Sequence, residues 1–176
     1  MSPAAHGPGP FRNRREALAL GAAAALVLSG CATPSITSAP IAADAPAWSG
    51  RMSLQVESSP PQSLAAVFDL KGGIEAGQLS LGTPLGNILA QLSWSAGSAT
   101  LRTPRETLEY PSVDALLAEV TGTPIPVAAL FDWLAGKPAT VDGWQADLTQ
   151  HADGRLHARR SSPAPAADLR LAFERQ

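Results

Sequence analysis

The chain has one cysteine, Cys31, among its 176 residues, so no internal disulfide forms and the fold must hold without one. It lacks an apolar run long enough for a membrane-crossing helix. The stretch from Ala17 to Leu28 is about a dozen residues, against the roughly 20 that a bilayer requires. It lacks a G-x-S-x-G nucleophile elbow, which argues against a hydrolase of that type. After Cys31 it has only two histidines, His151 and His157, which straddle the Asp153-Gly154 turn with no cysteine beside them. Even with Asp147 or Asp153 added, that is not a metal-binding spacing, and the pattern reads them as solvent-facing strand histidines. The carboxylate pairs Asp114 with Glu119 and Glu106 with Glu109 read as solvated positions of a helix and a short strand, not as an acid/base couple. Lysine and arginine are scattered, apart from Arg159-Arg160, so the sequence shows no polybasic patch for anionic headgroups.

What is present begins with a processing signal. Arg12, Arg14 and Arg15 precede the apolar stretch, and Leu28-Ser29-Gly30-Cys31 closes it with small residues. This is the pattern of a secretory leader that is removed, and the tetrapeptide resembles a bacterial lipobox. The resemblance implies that Cys31 is acylated and becomes the first residue of the mature chain. With Ala32 and not aspartate after it, the implied address is the inner leaflet of the outer membrane. Residues 1–30 then form the signal peptide, and the remaining 146 residues are enough for one substantial core. That mature part carries 10 basic and 14 acidic residues, a net charge of −4 that disfavours nucleic acid as a partner.

Residues 31–47 are rich in Ala, Ser, Thr and Pro and read as a tether that reaches at most roughly 55 Å when stretched. From residue 48 the hydrophobic period is two. Met52, Leu54 and Val56 alternate with polar residues, as do Leu64, Ala66, Phe68 and Leu70, then Leu79 and Leu81, then Ile88, Ala90, Leu92 and Trp94. Shorter segments follow around Leu101 and Leu108, and later around Trp144, Leu156 and Leu169 to Phe173. Two helices interrupt them. Ser112 is the expected N-cap of one, with Val113, Leu116, Leu117 and Val120 at helical spacing and Gly122 as its stop. Pro126 sits in the first turn of the other, whose stripe is Val127, Leu130, Phe131 and Leu134, with Gly136 and Pro138 beyond. Short antiparallel strands plus two helices predict a curved sheet, partial barrel or sandwich. Pattern alone leaves open whether the helices complete a filled core or cover an apolar cavity.

Thr121-Gly122-Thr123-Pro124-Ile125-Pro126-Val127, followed by Leu130, Trp133-Leu134 and Gly136, resembles the central motif of the LolB family of outer-membrane lipoprotein receptors. Gln78 to Gly86 resembles that family's strand and protruding loop, Trp48 with Gly50-Arg51 its opening, and Gly143-Trp144 its later strand. The resemblance implies a mainly β fold over residues 48–176, an open antiparallel half-barrel with helices plugging an apolar cavity. It implies no enzyme activity, no metal and no nucleotide cofactor. Cargo lipoproteins would arrive from the periplasmic carrier LolA and pass through a monomer of this protein into outer-membrane phospholipid.

In Thr83-Pro84-Leu85-Gly86 the turn residues put Leu85 near the tip, and residue type alone allows it to fold back under its hairpin. The resemblance makes Leu85 the membrane-inserting residue. Trp94, Trp133 and Trp144 sit at apolar positions where structural core is the default. The resemblance also suggests Leu130, Trp133 and Trp144 for the cavity wall, with Phe68 a further candidate and Trp94 one by strand phase alone. Phe68-Asp69-Leu70 replaces the family's aromatic run, and no terminal tryptophan follows Phe173, so a differently shaped cavity is expected. The rival from another class is an accessory lipoprotein of an outer-membrane assembly complex, with a filled core and a stable protein partner.

Overall fold

The computed structural model describes residues 41–176; the expected leader, Cys31 and most of the tether lie outside the described residues. Nine strands form a single antiparallel sheet in the order β6-β5-β4-β3-β2-β1-β9-β8-β7. They are β1 (Ala47–Val56), β2 (Gln62–Gly72), β3 (Gly77–Gly82), β4 (Ile88–Ser95), β5 (Ser98–Arg102), β6 (Thr107–Tyr110), β7 (Trp144–Asp147), β8 (Arg155–Arg160) and β9 (Ala167–Arg175). No pairing joins β6 to β7, so the sheet is open, as a half-barrel requires. The long central strands β1, β2 and β9 present alternate side chains inward, among them Leu54, Val56, Phe68, Leu70, Leu169 and Leu171.

Helices α1 (Val113–Thr121) and α2 (Val127–Leu134) cover that inner face. The Ser112 hydroxyl accepts from the Ala115 amide at 3.1 Å, and Gly122, at φ 66°, ends α1 in the left-handed conformation that glycine adopts without strain. Pro126 lies one position earlier than expected, as the N-cap of α2. Because proline has no side-chain acceptor, the Asp114 carboxylate of α1 takes that role, receiving the Val127 amide at 3.5 Å. Asp114 therefore has a structural task that the periodicity did not show.

His151 differs from the solvent-facing strand reading, and His157 keeps the outward strand position but is partly covered. His151 lies in a short 3-10 turn, His151–Asp153, where its ring packs against Phe173 and its Nε2 meets the Leu134 carbonyl at 3.0 Å. His157 is on β8 but half-buried, with Nε2 at 2.8 Å from Asp168. The end of α2 and the outer row of β8–β9 are thereby tied down by side chains that sequence pattern places in water.

Candidate functional site

Between the helices and the sheet lies an apolar cavity of about 290 Å³. Phe68 and Leu70 of β2, Leu92 of β4, Leu116 of α1, Leu130 of α2 and Leu169 of β9 typify its wall. Only Thr103 and Thr121 contribute hydroxyls. The Thr121 hydroxyl is already committed, 2.7 Å from the Leu117 carbonyl and 2.8 Å from that of Thr123. A cavity without available polar partners does not hold water well, so its natural occupant is hydrocarbon.

The cavity opens where Leu89 and Val120 lie, since both line it and both are exposed, at 37% and 43%. Leu89 owes this position to a β-bulge. Leu81 pairs with Ala90 and Gly82 with Ile88, so Leu89 is the extra residue of β4 and has no register partner. A bulge re-aims a side chain that strict alternation would turn to the other face. Alternation alone would read Leu89 as an outward residue, which is why the pattern missed it.

The β3–β4 turn rises beside that mouth. The Gly86 amide donates to the Thr83 carbonyl at 2.9 Å, the Thr83 amide to the Asn87 carbonyl at 2.9 Å, and the Asn87 amide to the Thr83 hydroxyl at 3.2 Å. This closed loop holds Leu85 outward at 89% exposure, with Ile88 at 55% nearby in sequence. Single exposed leucines are ordinary, but Leu85, Ile88 and Leu89 leave one hairpin together beside an apolar cavity.

Of the five residues nominated for the wall, Phe68 and Leu130 are in it, and Trp94, Trp133 and Trp144 are not. Each tryptophan is buried and its ring N–H is spent on a main-chain carbonyl. Trp94 donates to Gly73 at 2.9 Å, Trp133 to Ala139 at 3.3 Å and Trp144 to Pro124 at 3.1 Å. Trp94 also lies 6.3 Å from the Phe131 ring, which in turn lies 5.8 Å from Trp48. Trp133 and Trp144 pair with each other at 6.3 Å. Large rings with a polar handle fill and pin the core; the hollow is left to leucines.

A second buried feature is Arg160, whose guanidinium donates to the Thr123 hydroxyl and, at 3.1 Å, to the Pro165 carbonyl. It thereby fastens the α1–α2 connection to β8, a tie that the Arg159-Arg160 pair in the sequence did not reveal. Among the described residues no group of three His, Cys, Asp or Glu side chains has metal-binding geometry. Two carboxyls are shifted. Asp147 is held below the usual carboxylate range by the hydroxyl and then the amide of Thr149, with the His157 charge adding to them. For Asp168 partial burial is the largest influence and pushes upward, but hydrogen bonds and charge from His157 and Arg170 together bring it below its ordinary value. Both belong to the outer face of the sheet, away from the cavity.

The family model described as outer membrane lipoprotein LolB matches residues 46–166. A Bordetella petrii protein named outer-membrane lipoprotein LolB is 32% identical over 180 residues, covering 87% of this chain and 89% of its own length. Proteins of the same name from Chromobacterium violaceum and Cupriavidus pinatubonensis are 32% identical over 123 residues and 41% over 80. Those two matches span 65% and 45% of this chain, and 65% and 38% of the relatives, less than two thirds of either.

Proposed function

This chain belongs to the LolB family of outer-membrane lipoproteins, and on that premise we propose that it takes lipoproteins from LolA into its apolar cavity and inserts them into the outer membrane. Cys31 is its own lipid anchor, Leu85 its membrane-inserting tip, and Phe68 and Leu130 touch the acyl chains of the cargo. The single observation carrying this reading is the adjacency of an apolar cavity mouth, Leu89 and Val120, to the apolar tip of the β3–β4 turn.

The physical need is plain. Each buried methylene gives about 0.8 kcal/mol, so a three-chain anchor holds on the order of 30 kcal/mol of hydrophobic free energy and does not cross water unaided. At roughly 30 Å³ per water-sized group, 290 Å³ takes on the order of ten methylene-sized groups. That is less than a triacyl anchor, so burying the whole anchor requires more space than this hollow offers. Transfer runs from the weaker site of the carrier to the stronger one here, and then to the bilayer. The tether agrees with this arrangement. Chain enters β1 at Ala47, the end opposite Leu85, and β1 is roughly 34 Å long, within the tether's roughly 55 Å reach.

The test is transfer of radiolabelled lipoprotein from purified LolA to this protein, then to liposomes, with Leu85→Glu beside wild type. Both proteins should accept cargo, and the variant should deliver at least about tenfold less, because a leucine whose burial is worth about 1.5–3 kcal/mol has become a charge. Equal delivery removes Leu85 from the mechanism. Failure of both to accept cargo removes the receptor function, and failure to bind an apolar dye returns the chain to the accessory-subunit reading.

A further inference from the structure

On the face of the sheet away from the helices, β1, β9 and β8 lie side by side, and their outward side chains form cross-strand rows. Ala172 of β9 is the register partner of Arg51 on one side and of Arg155 on the other. With strands about 4.8 Å apart, the two arginine backbones stand roughly 10 Å from each other, with only a methyl group between. The next row holds Ser53, Arg170, His157 and Asp147, and the one after it Gln55, Asp168, Arg159 and Gln145. Over the alanine is a hollow of about 600 Å³, walled by Arg51, Arg155, Arg159 and Arg170.

Four of the 10 basic residues that follow Cys31 thus converge on one spot of a chain whose net charge is negative. Strand pairing makes a basic patch that linear order conceals, since Arg51 lies about a hundred residues from the others. The acidic groups facing it are Asp147 and Asp168. Asp147 is occupied by the Thr149 amide at 2.9 Å and hydroxyl at 2.7 Å. Asp168 is shared by His157 at 2.8 Å, Arg159 at 3.2 Å and Arg170 at 2.9 Å. Arg51 and Arg155 have no carboxylate partner among the described residues.

We propose that this hollow binds a phosphate group between Arg51 and Arg155, with Arg170 at its side. A guanidinium presents a planar fork of donors that matches two oxygens of one oxyanion. A phosphate has oxygens for two forks at once, so the paired arrangement suits phosphate better than a lone carboxylate. The source is a soluble phosphate ester or a phospholipid headgroup. Arg51 lies five residues from the Val56 end of β1, roughly 17 Å, so a headgroup would reach it with the domain resting on this sheet face. The inference stands apart from the cargo reading, because it uses neither the cavity nor Leu85.

The test is a titration of the full chain in detergent with inorganic phosphate, and separately with sn-glycerol 3-phosphate. Ionic strength is held constant with chloride, and the amides of Arg51, Arg155 and Ala172 are followed by NMR. Saturable shifts are expected at these three positions, and Arg51→Gln combined with Arg155→Gln should weaken binding at least tenfold. Because both side chains are exposed, the double variant should keep its melting temperature. A second arm compares vesicles of phosphatidylglycerol in phosphatidylcholine with phosphatidylcholine alone. Binding of the charged vesicles that is lost in the double variant identifies a headgroup; soluble phosphate binding without it identifies a soluble ester. Shifts that fail to saturate, that chloride reproduces or that persist in the double variant overturn the proposal. So does saturation by polyglutamate without any by phosphate.

Discussion

Beneath β1–β5 the sheet is walled with leucine and stays hollow, while at the far end of β1 and β4, and beneath β7, it is packed with aromatic rings and is solid. The two regions share a sheet, helices and a backbone period, and differ only in what the inward positions carry. Branched aliphatic side chains are too short to meet across the gap that α1 and α2 bridge. Tryptophans span it, and their N–H groups lock them to Gly73, Ala139 and Pro124. The ring-packed part lies away from the mouth, at Trp48, Phe131, Trp94 and the Trp133–Trp144 pair. Around the mouth the wall is held mainly by apolar contacts, and the Thr121 hydroxyl is spent on nearby carbonyls of its own segment.

Truncation tests this division most severely. Trp133→Ala removes a ring 1% exposed and packed on Trp144, and should cost about 3–5 kcal/mol in guanidinium unfolding. Leu130→Ala enlarges a space that already exists, so its cost should fall at or below the low end for leucine truncation, about 2 kcal/mol. Equal costs would mean the hollow is not a mechanical distinction. Enlargement should reverse the order. Ala158→Leu overpacks a fully buried position and should lose about 1–3 kcal/mol. Ala90→Leu grows into the cavity, so stability should hold within about 0.5 kcal/mol while affinity for an apolar dye falls several-fold. Retained dye affinity in Ala90→Leu would place the dye elsewhere.

The strand segments, both helices and the caps of α1 were legible because each rests on local chemistry: period two, the Ser112 hydroxyl, and Gly122 at positive φ. Leu85 was legible as a tip because Pro84 and Gly86 dictate the turn. For the tryptophans burial in the core was legible from their apolar positions, but not their place outside the cavity wall, since strand phase tells which face a ring takes and not whether space remains beside it. Leu89 was hidden by its bulge, which shifts register without any residue that announces it. The arginine cluster was hidden for a different reason: β1 pairs with β9 across more than a hundred residues, and only that closure brings Arg51 to Arg155. Local physics is readable one segment at a time; hollows and charge clusters are properties of segments brought together.

The weakest expected effect concerns the outer row behind the solid part. Asp168 has its carboxyl below the ordinary 3.8, because His157 and Arg170 outweigh the upward push of partial burial. A depressed carboxyl stabilises the fold above its unfolded pKa, and that contribution disappears as pH falls through the lower folded value, so the window lies below about pH 4. Since the partnering arginines are more than half exposed, the contribution should be under about 1 kcal/mol. Asp168→Asn should therefore be slightly less stable than wild type at pH 7 and should lose less on going to pH 3, as read by thermal unfolding. Amide exchange gives the regional answer. On acidification, wild type should lose protection in β8 and β9 before the leucine-walled strands β3 and β4, which face no such carboxylate cluster. Loss in β3 and β4 first would show that the hollow, and not the ion-paired row, sets the acid limit of this fold.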